Sequence, residues 1–92
     1  MQKIKLKNGS LVKALCGREY SENFIIYKIE GNFAYLTNGK TRPIENPKKK
    51  NLKHLYTLLI DTPLGEKIDN NKIINADIIK YLKDYTKNAK IN

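Results

Sequence analysis

The residue types that perform chemistry are thinly spread along this 92-residue chain. Nucleophilic catalysis needs a nucleophile, a base within reach and a group that orients the base. The chain offers one cysteine, Cys16, and one histidine, His54, and no motif joins them. Cys16 stands among apolar residues at the expected end of a strand, which predicts a buried structural thiol. A single cysteine also excludes an intramolecular disulfide and any multi-cysteine metal site. His54 lies beside Lys53, which disfavours a second positive charge on the imidazole. No carboxylates cluster near it to complete a metal site. The nine acids are dispersed; Glu19 and Glu22 are the one close pair in the first half, and Arg18 beside them points to a solvated or ion-paired loop. No glycine-rich loop is present to cradle a phosphate. The expectation is a binding protein, with no catalysis, no cofactor and no metal.

What the sequence does concentrate is positive charge. The formal net charge is +9, of which residues 1–54 carry +8 and residues 55–92 carry +1. An AT-rich coding bias explains part of this, since 39 residues are Lys, Asn or Ile; Glu, which the same bias favours, occurs only five times. A basic surface on one part of a small domain attracts polyanions, and nucleic acid is the usual one in a cytosol. The densest run is Pro47-Lys48-Lys49-Lys50-Asn51-Leu52-Lys53-His54. Like charges this close repel, so the run is expected as a solvated loop rather than a packed element. As a phosphate-tracking strip it would release condensed counterions and bind in a salt-sensitive way.

These residues must be positioned by short elements. Asn8-Gly9 signals a turn into a first strand, Ser10 to Cys16, which Gly17 stops. Gly17 to Asn23 is polar and reads as a loop. Phe24 to Ile29 is β-branched and aromatic, a second strand. Glu30-Gly31-Asn32 connects it tightly to a third, Phe33 to Thr37. Asn38-Gly39 is a strong hairpin signal, because a type I′ turn needs positive φ at both central positions. It predicts Lys40-Thr41-Arg42 as the returning fourth strand, ended by Pro43. Leu55 to Ile60 is a fifth, and Asp61 to Gly65 and Asp69 to Lys72 read as turns. The period then changes: Ile78, Ile79, Leu82 and Tyr85 share one helical face, so a helix is expected over about 75–86, with Asn75 as its N-cap. Ala89 to Asn92 is expected to fray.

Five short strands closely spaced by turns suggest a mainly β fold, a small antiparallel barrel with a C-terminal α-helix covering one end or flank. The expectation is one domain over 1–92, with the barrel at about 8–60, including the basic segment 46–54. The longest charge-free apolar stretch, His54 to Ile60, is too short to span a bilayer. Met1 to Asn8 alternates lysine with apolar residues and so lacks the core of a signal peptide. A cytoplasmic protein without a membrane partner is expected, with a monomer as the simplest state.

From Gly9 to Ile29 the chain resembles a KOW motif. The carrying residues are Gly9, then Leu11-Val12-Lys13-Ala14-Leu15-Cys16, then Gly17-Arg18-Glu19, then Phe24-Ile25-Ile26-Tyr27. Leu36 to Leu55, with its Asn38-Gly39 turn, Arg42, Pro47-Lys48-Lys49-Lys50 and Leu52-Lys53-His54-Leu55, is similar to the extension of a bacterial family of small KOW-domain RNA-binding proteins. That family is similar to KOW-containing large-subunit ribosomal proteins of archaea and eukaryotes. Ala76-Asp77-Ile78-Ile79 fits its C-terminal pattern, so the resemblance spans about residues 8–86. It departs at Ser21, where the family's polar loop carries a second glycine, and at Glu22 and Asn23, where a basic residue is expected. The resemblance implies an SH3-like barrel and RNA binding linked to the ribosome.

The expected function is therefore docking on structured RNA, ribosomal RNA above all, through Lys40, Arg42, Lys48, Lys49, Lys50, Lys53, His54 and Arg18. Duplex RNA is recognised by backbone and shape, which suits such a site. Tyr20 is a candidate for stacking, whereas Tyr27 and Tyr35 are expected to be half-buried in the barrel. The alternative is an SH3-like protein-interaction module that binds acidic surfaces of transcription or translation proteins. A duplex-DNA binder ranks third, because the only clear helix carries Asp77 and Asp84 beside its lysines.

Overall fold

Residues 5–89 are described by a computed structural model. Its longest strand is the β-branched, aromatic segment of the sequence. In chain order the elements are β1 (Leu11–Ala14), β2 (Asn23–Glu30), β3 (Phe33–Thr37), β4 (Lys48–Asn51), a 3₁₀ turn (Leu52–His54), β5 (Leu55–Leu59), α1 (Leu64–Asp69) and α2 (Asn75–Ala89). The strands form one antiparallel sheet in the order β4-β3-β2-β1-β5. β2, β3 and β4 form a meander, but its last strand is Lys48–Asn51 and not the expected Lys40 to Arg42.

The sheet is coiled. β4 and β5 are its two outer strands, yet only Leu52–His54 separates them in sequence. In a flat sheet they would lie roughly 19 Å apart, four spacings of about 4.8 Å. A three-residue 3₁₀ turn, rising about 2 Å per residue, cannot cross that gap. Register shifts between Ile26 and Lys28 in β2, and between Leu11 and Val12 in β1, supply local bending.

Successive side chains on a strand point to opposite faces, so β1 and β2 feed two apolar clusters. Val12, Ala14, Phe24, Ile26, Ala34, Leu36 and Leu55 converge from four strands inside the coil. Leu11 and Ile25 point the other way and are covered by Leu64 and Ile68 of α1 and Ile78 of α2. Both helices thus pack on the outer face around Leu11 and Ile25 and leave the part that carries Lys28, Phe33, Tyr35 and Lys49 open.

Five expectations are corrected. Lys40 to Arg42 is not a strand. The Asn38 carboxamide accepts the Lys40 and Arg42 backbone N–H groups, and the Arg42 carbonyl accepts from Asn38, Gly39 and the Thr37 hydroxyl. Those bonds close the segment on itself, and local side-chain bonding of this kind competes with strand pairing. The returning strand is instead the lysine run itself. Its charges are tolerated because Lys49 faces solvent on an outer strand and Lys48 and Lys50 meet Glu19.

Cys16 is exposed, since β1 ends two residues earlier. The Asp61 to Gly65 turn runs into a helix, α1, whose Leu64 and Ile68 sit one turn apart and are both buried. Finally, Asn75 is the first residue of α2 rather than its cap. The Asp77 carboxylate accepts the Ile74 N–H at 3.2 Å, closing the first turn. The Asn75 carboxamide is used across the fold, accepting the Ile44 N–H at 2.8 Å and donating to Glu45 at 3.0 Å. α2 reaches Ala89, so the fraying expected from there falls on residues 90–92, outside the described residues. Among the described residues no helix is long and apolar enough to cross a membrane.

Candidate nucleic-acid interface

Pairing of β4 with β3 decides where each lysine of the run points. Leu36 faces Lys48, Tyr35 faces Lys49, Ala34 faces Lys50 and Phe33 faces Asn51. Lys48 and Lys50 therefore share the inner side with buried Leu36 and Ala34, and Lys49 stands outside with Tyr35 and Phe33. Three consecutive lysines thus do two different jobs.

Inside, the Lys50 side chain is only 9% exposed. Its ammonium donates to the Cys16 carbonyl at 2.9 Å and to Glu19 Oε1 at 3.3 Å. Lys48 stands 3.9 Å from the other Glu19 oxygen. Burial opposes the Glu19 charge, but the Lys50 hydrogen bond, a bond from its own backbone N–H and the charges of Lys48 and Lys50 outweigh it and hold its carboxyl below the usual glutamate range. Gly17 makes room for this contact: at φ +85° it takes a backbone shape that suits glycine, and a Cβ there would sit 2.9 Å from the Lys50 ammonium. Lys50 thereby holds the loop between β1 and β2, with Lys48, a third exposed, at longer range from the same carboxylate.

Outside, Lys28 on β2, Tyr35 on β3 and Lys49 on β4 form one cross-strand row. Glu30, Phe33 and Asn51 form the next. The Lys49 ammonium lies 4.6 Å from the Phe33 ring centre, and that of Lys28 lies 5.8 Å from the Tyr35 ring. Phe33 is 37% exposed. The Tyr35 hydroxyl donates to Glu30 at 3.1 Å, and Lys28 pairs with the same carboxylate at 3.0 Å. Those two hydrogen bonds, Lys28 first, hold the Glu30 carboxyl below its usual range; the bond to Glu30 raises both the Lys28 ammonium and the Tyr35 phenol above theirs. The two rows together place the Lys28 and Lys49 ammonium groups beside the Tyr35 and Phe33 rings, with Glu30 paired to Lys28. Ammonium groups meet phosphates, and aromatic faces stack bases of any sequence.

The other expected site residues are dispersed. Lys53 is exposed at the 3₁₀ turn, where its N–H donates to the Asn51 side chain at 3.0 Å. His54 is half-buried, and its carbonyl accepts the Leu15 N–H at 2.9 Å, so its backbone fastens the start of β5. Arg18 is exposed in the loop after β1, one residue before Glu19. Arg42 is half-buried and Lys40 exposed; Lys40 lines a groove with α2. Tyr20 is exposed; Tyr27 and Tyr35 are half-buried, but Tyr27 lies against the helix-covered cluster and Tyr35 on the outer face rather than inside the sheet's coil. Ser21 takes the left-handed conformation at φ +71°. Among the described residues no three of His, Cys, Asp and Glu gather as metal ligands.

Phe33 and Lys28 were not among the expected site residues. Their signal was the alternation Lys28-x-Glu30 and Phe33-x-Tyr35 on either side of a two-residue turn, which puts all four on one face. No protein-family model matches the chain, and no curated protein matches it.

Proposed function

We propose that this protein is a non-catalytic RNA-binding module of the cytoplasm that docks on structured RNA, ribosomal RNA above all. We further read the coiled five-stranded sheet as an SH3-like barrel of the KOW type. The three-residue connection that brings the two outer strands together supports that reading, as does positive φ at Ser21, where the family pattern carries glycine.

One observation carries the function: the row Lys28, Tyr35 and Lys49, with exposed Phe33 beside it, on the part of the sheet that the helices leave open. Lysines track phosphates, and folded RNA splays bases from its loops and bulges onto aromatic rings. Lys53 follows at the adjoining 3₁₀ turn as a further exposed cation.

The test is the affinity of the wild type, Lys49→Ala and Phe33→Ala for a stem-loop fragment of ribosomal RNA across a salt series. Loss of one phosphate contact at Lys49 should flatten the slope of log K against log salt by about 0.7 to 0.9. Loss of stacking at Phe33 should cost about 1–3 kcal/mol with the slope unchanged. Wild-type behaviour in both variants would refute the site.

A further inference from the structure

The two flanks of α2 differ in charge. On one flank Asp77 meets Lys67 at 3.1 Å and Asp84 meets Lys80 at 3.2 Å, which uses both acids of the helix. Toward the Asn38–Lys40 turn lies a groove of about 790 Å³, with Ile79, Leu82 and Thr86 along it and Lys40, Lys83 and Lys87 at its sides. Among the described residues none of these three lysines has a carboxylate within ion-pair distance. The groove is firmly built at one end. Gly39, at φ +81°, lies so close to α2 that a Cβ would stand 2.7 Å from the Asn75 carbonyl and 2.8 Å from Ile79.

We infer that this groove docks an acidic amphipathic segment of a partner protein, with aliphatic side chains on Ile79 and Leu82 and carboxylates on Lys40, Lys83 and Lys87. Ile79, Leu82 and Thr86 follow the i, i+3, i+7 spacing that matches the apolar stripe of a docked helix. Three ammonium groups, unpaired among the described residues, around an apolar floor select a segment that is negative at its edges and aliphatic at its centre. The lining holds no aromatic ring and no arginine, which sets it apart from the Phe33–Lys49 surface and favours a peptide over RNA. The site is independent of the RNA reading: either can fail while the other stands.

The probe is a fluorescein-labelled 16-residue helical peptide with leucines at three- and four-residue spacing and glutamates flanking them. A scrambled peptide of the same composition is the control. Both are titrated by anisotropy against the full chain, Lys83→Glu/Lys87→Glu, and Lys5→Glu/Lys72→Glu, which changes the net charge equally at exposed sites elsewhere. Expected results are saturable binding of the patterned peptide and at least tenfold weaker binding of the scrambled one. Lys83→Glu/Lys87→Glu should lose at least tenfold and the control pair less than threefold, with amide shifts in the wild type at Lys40, Ile79 and Thr86. Circular dichroism establishes that both variants fold. No binding of the patterned peptide overturns the proposal, as does equal binding of the scrambled one or equal loss in the control pair. Displacement of the peptide by single-stranded RNA, with shifts at the same amides, would reassign the groove to nucleic acid.

Discussion

The Lys50 ammonium reaches Glu19 at 3.3 Å across 31 residues of sequence. It thereby ties the outer strand β4 to the loop that leaves β1, three places away in the sheet order. Both side chains are largely withdrawn from solvent, at 9% and 15% exposure. The contact therefore helps to hold the coil of the sheet, and its removal strands a carboxylate in a partly desolvated place.

Lys50 and Lys49 should consequently separate in experiment. Lys50→Ala is expected to destabilise the fold by about 2–3 kcal/mol, because a charged, hydrogen-bonded partner is lost from a buried pair. Lys49→Ala should change stability by no more than about 0.5 kcal/mol and act on RNA binding instead. Urea midpoints at constant m-value measure the first effect and the salt series the second.

Glu19 adds a pH dependence of definite sign. Its folded carboxyl titrates below its unfolded value, so its stabilisation is complete above about pH 4.5 and fades as the pH falls through the folded value. Glu30, Glu45 and Asp77 are shifted the same way by hydrogen bonds from Lys28, Asn75 and Lys67. Glu19→Gln should therefore be less stable than wild type at pH 7, and the gap should narrow toward pH 3. A gap that stays constant over that range would show that Glu19 is not the charged partner of Lys50.

Gly39 and Gly31 form a matched pair of probes. Both have positive φ, at +81° and +59°, but a Cβ at Gly31 meets nothing within 4 Å, whereas one at Gly39 collides with the first turns of α2. Gly31→Ala should cost about 1 kcal/mol for the left-handed backbone alone. Gly39→Ala should cost about 2–4 kcal/mol. Hydrogen exchange should locate the added loss in α2.

Ser21 bears a side chain at φ +71° in an exposed loop. Ser21→Gly removes that strain and should raise stability by up to about 1 kcal/mol, read as a higher urea midpoint. An unchanged or lower midpoint would mean that the Ser21 backbone is not held left-handed.

Local order could be read from the chain directly. The β-branched run at 24–29, the Gly31-Asn32 turn, the Phe33 to Thr37 strand and the helix after Asn75 are each written in a few neighbouring residues. Local backbone preferences and turn residues need no distant partner. The concentration of charge in residues 1–54 was equally plain.

What tertiary structure alone decided is which way the charges face. Lys48, Lys49 and Lys50 are identical in type. Their division into two inward anchors and one outward cation follows from pairing with residues 34–36 and from a glutamate supplied by another loop. Gly39 reads only as a turn glycine until α2, which begins 36 residues later, packs on it. Asn75 reads as a cap until Ile44 and Glu45 claim its side chain. A pairing register is set by burial of one face and a helix contact by the close approach of two backbones. Both energies belong to pairs of distant segments, so no window of neighbouring residues contains them.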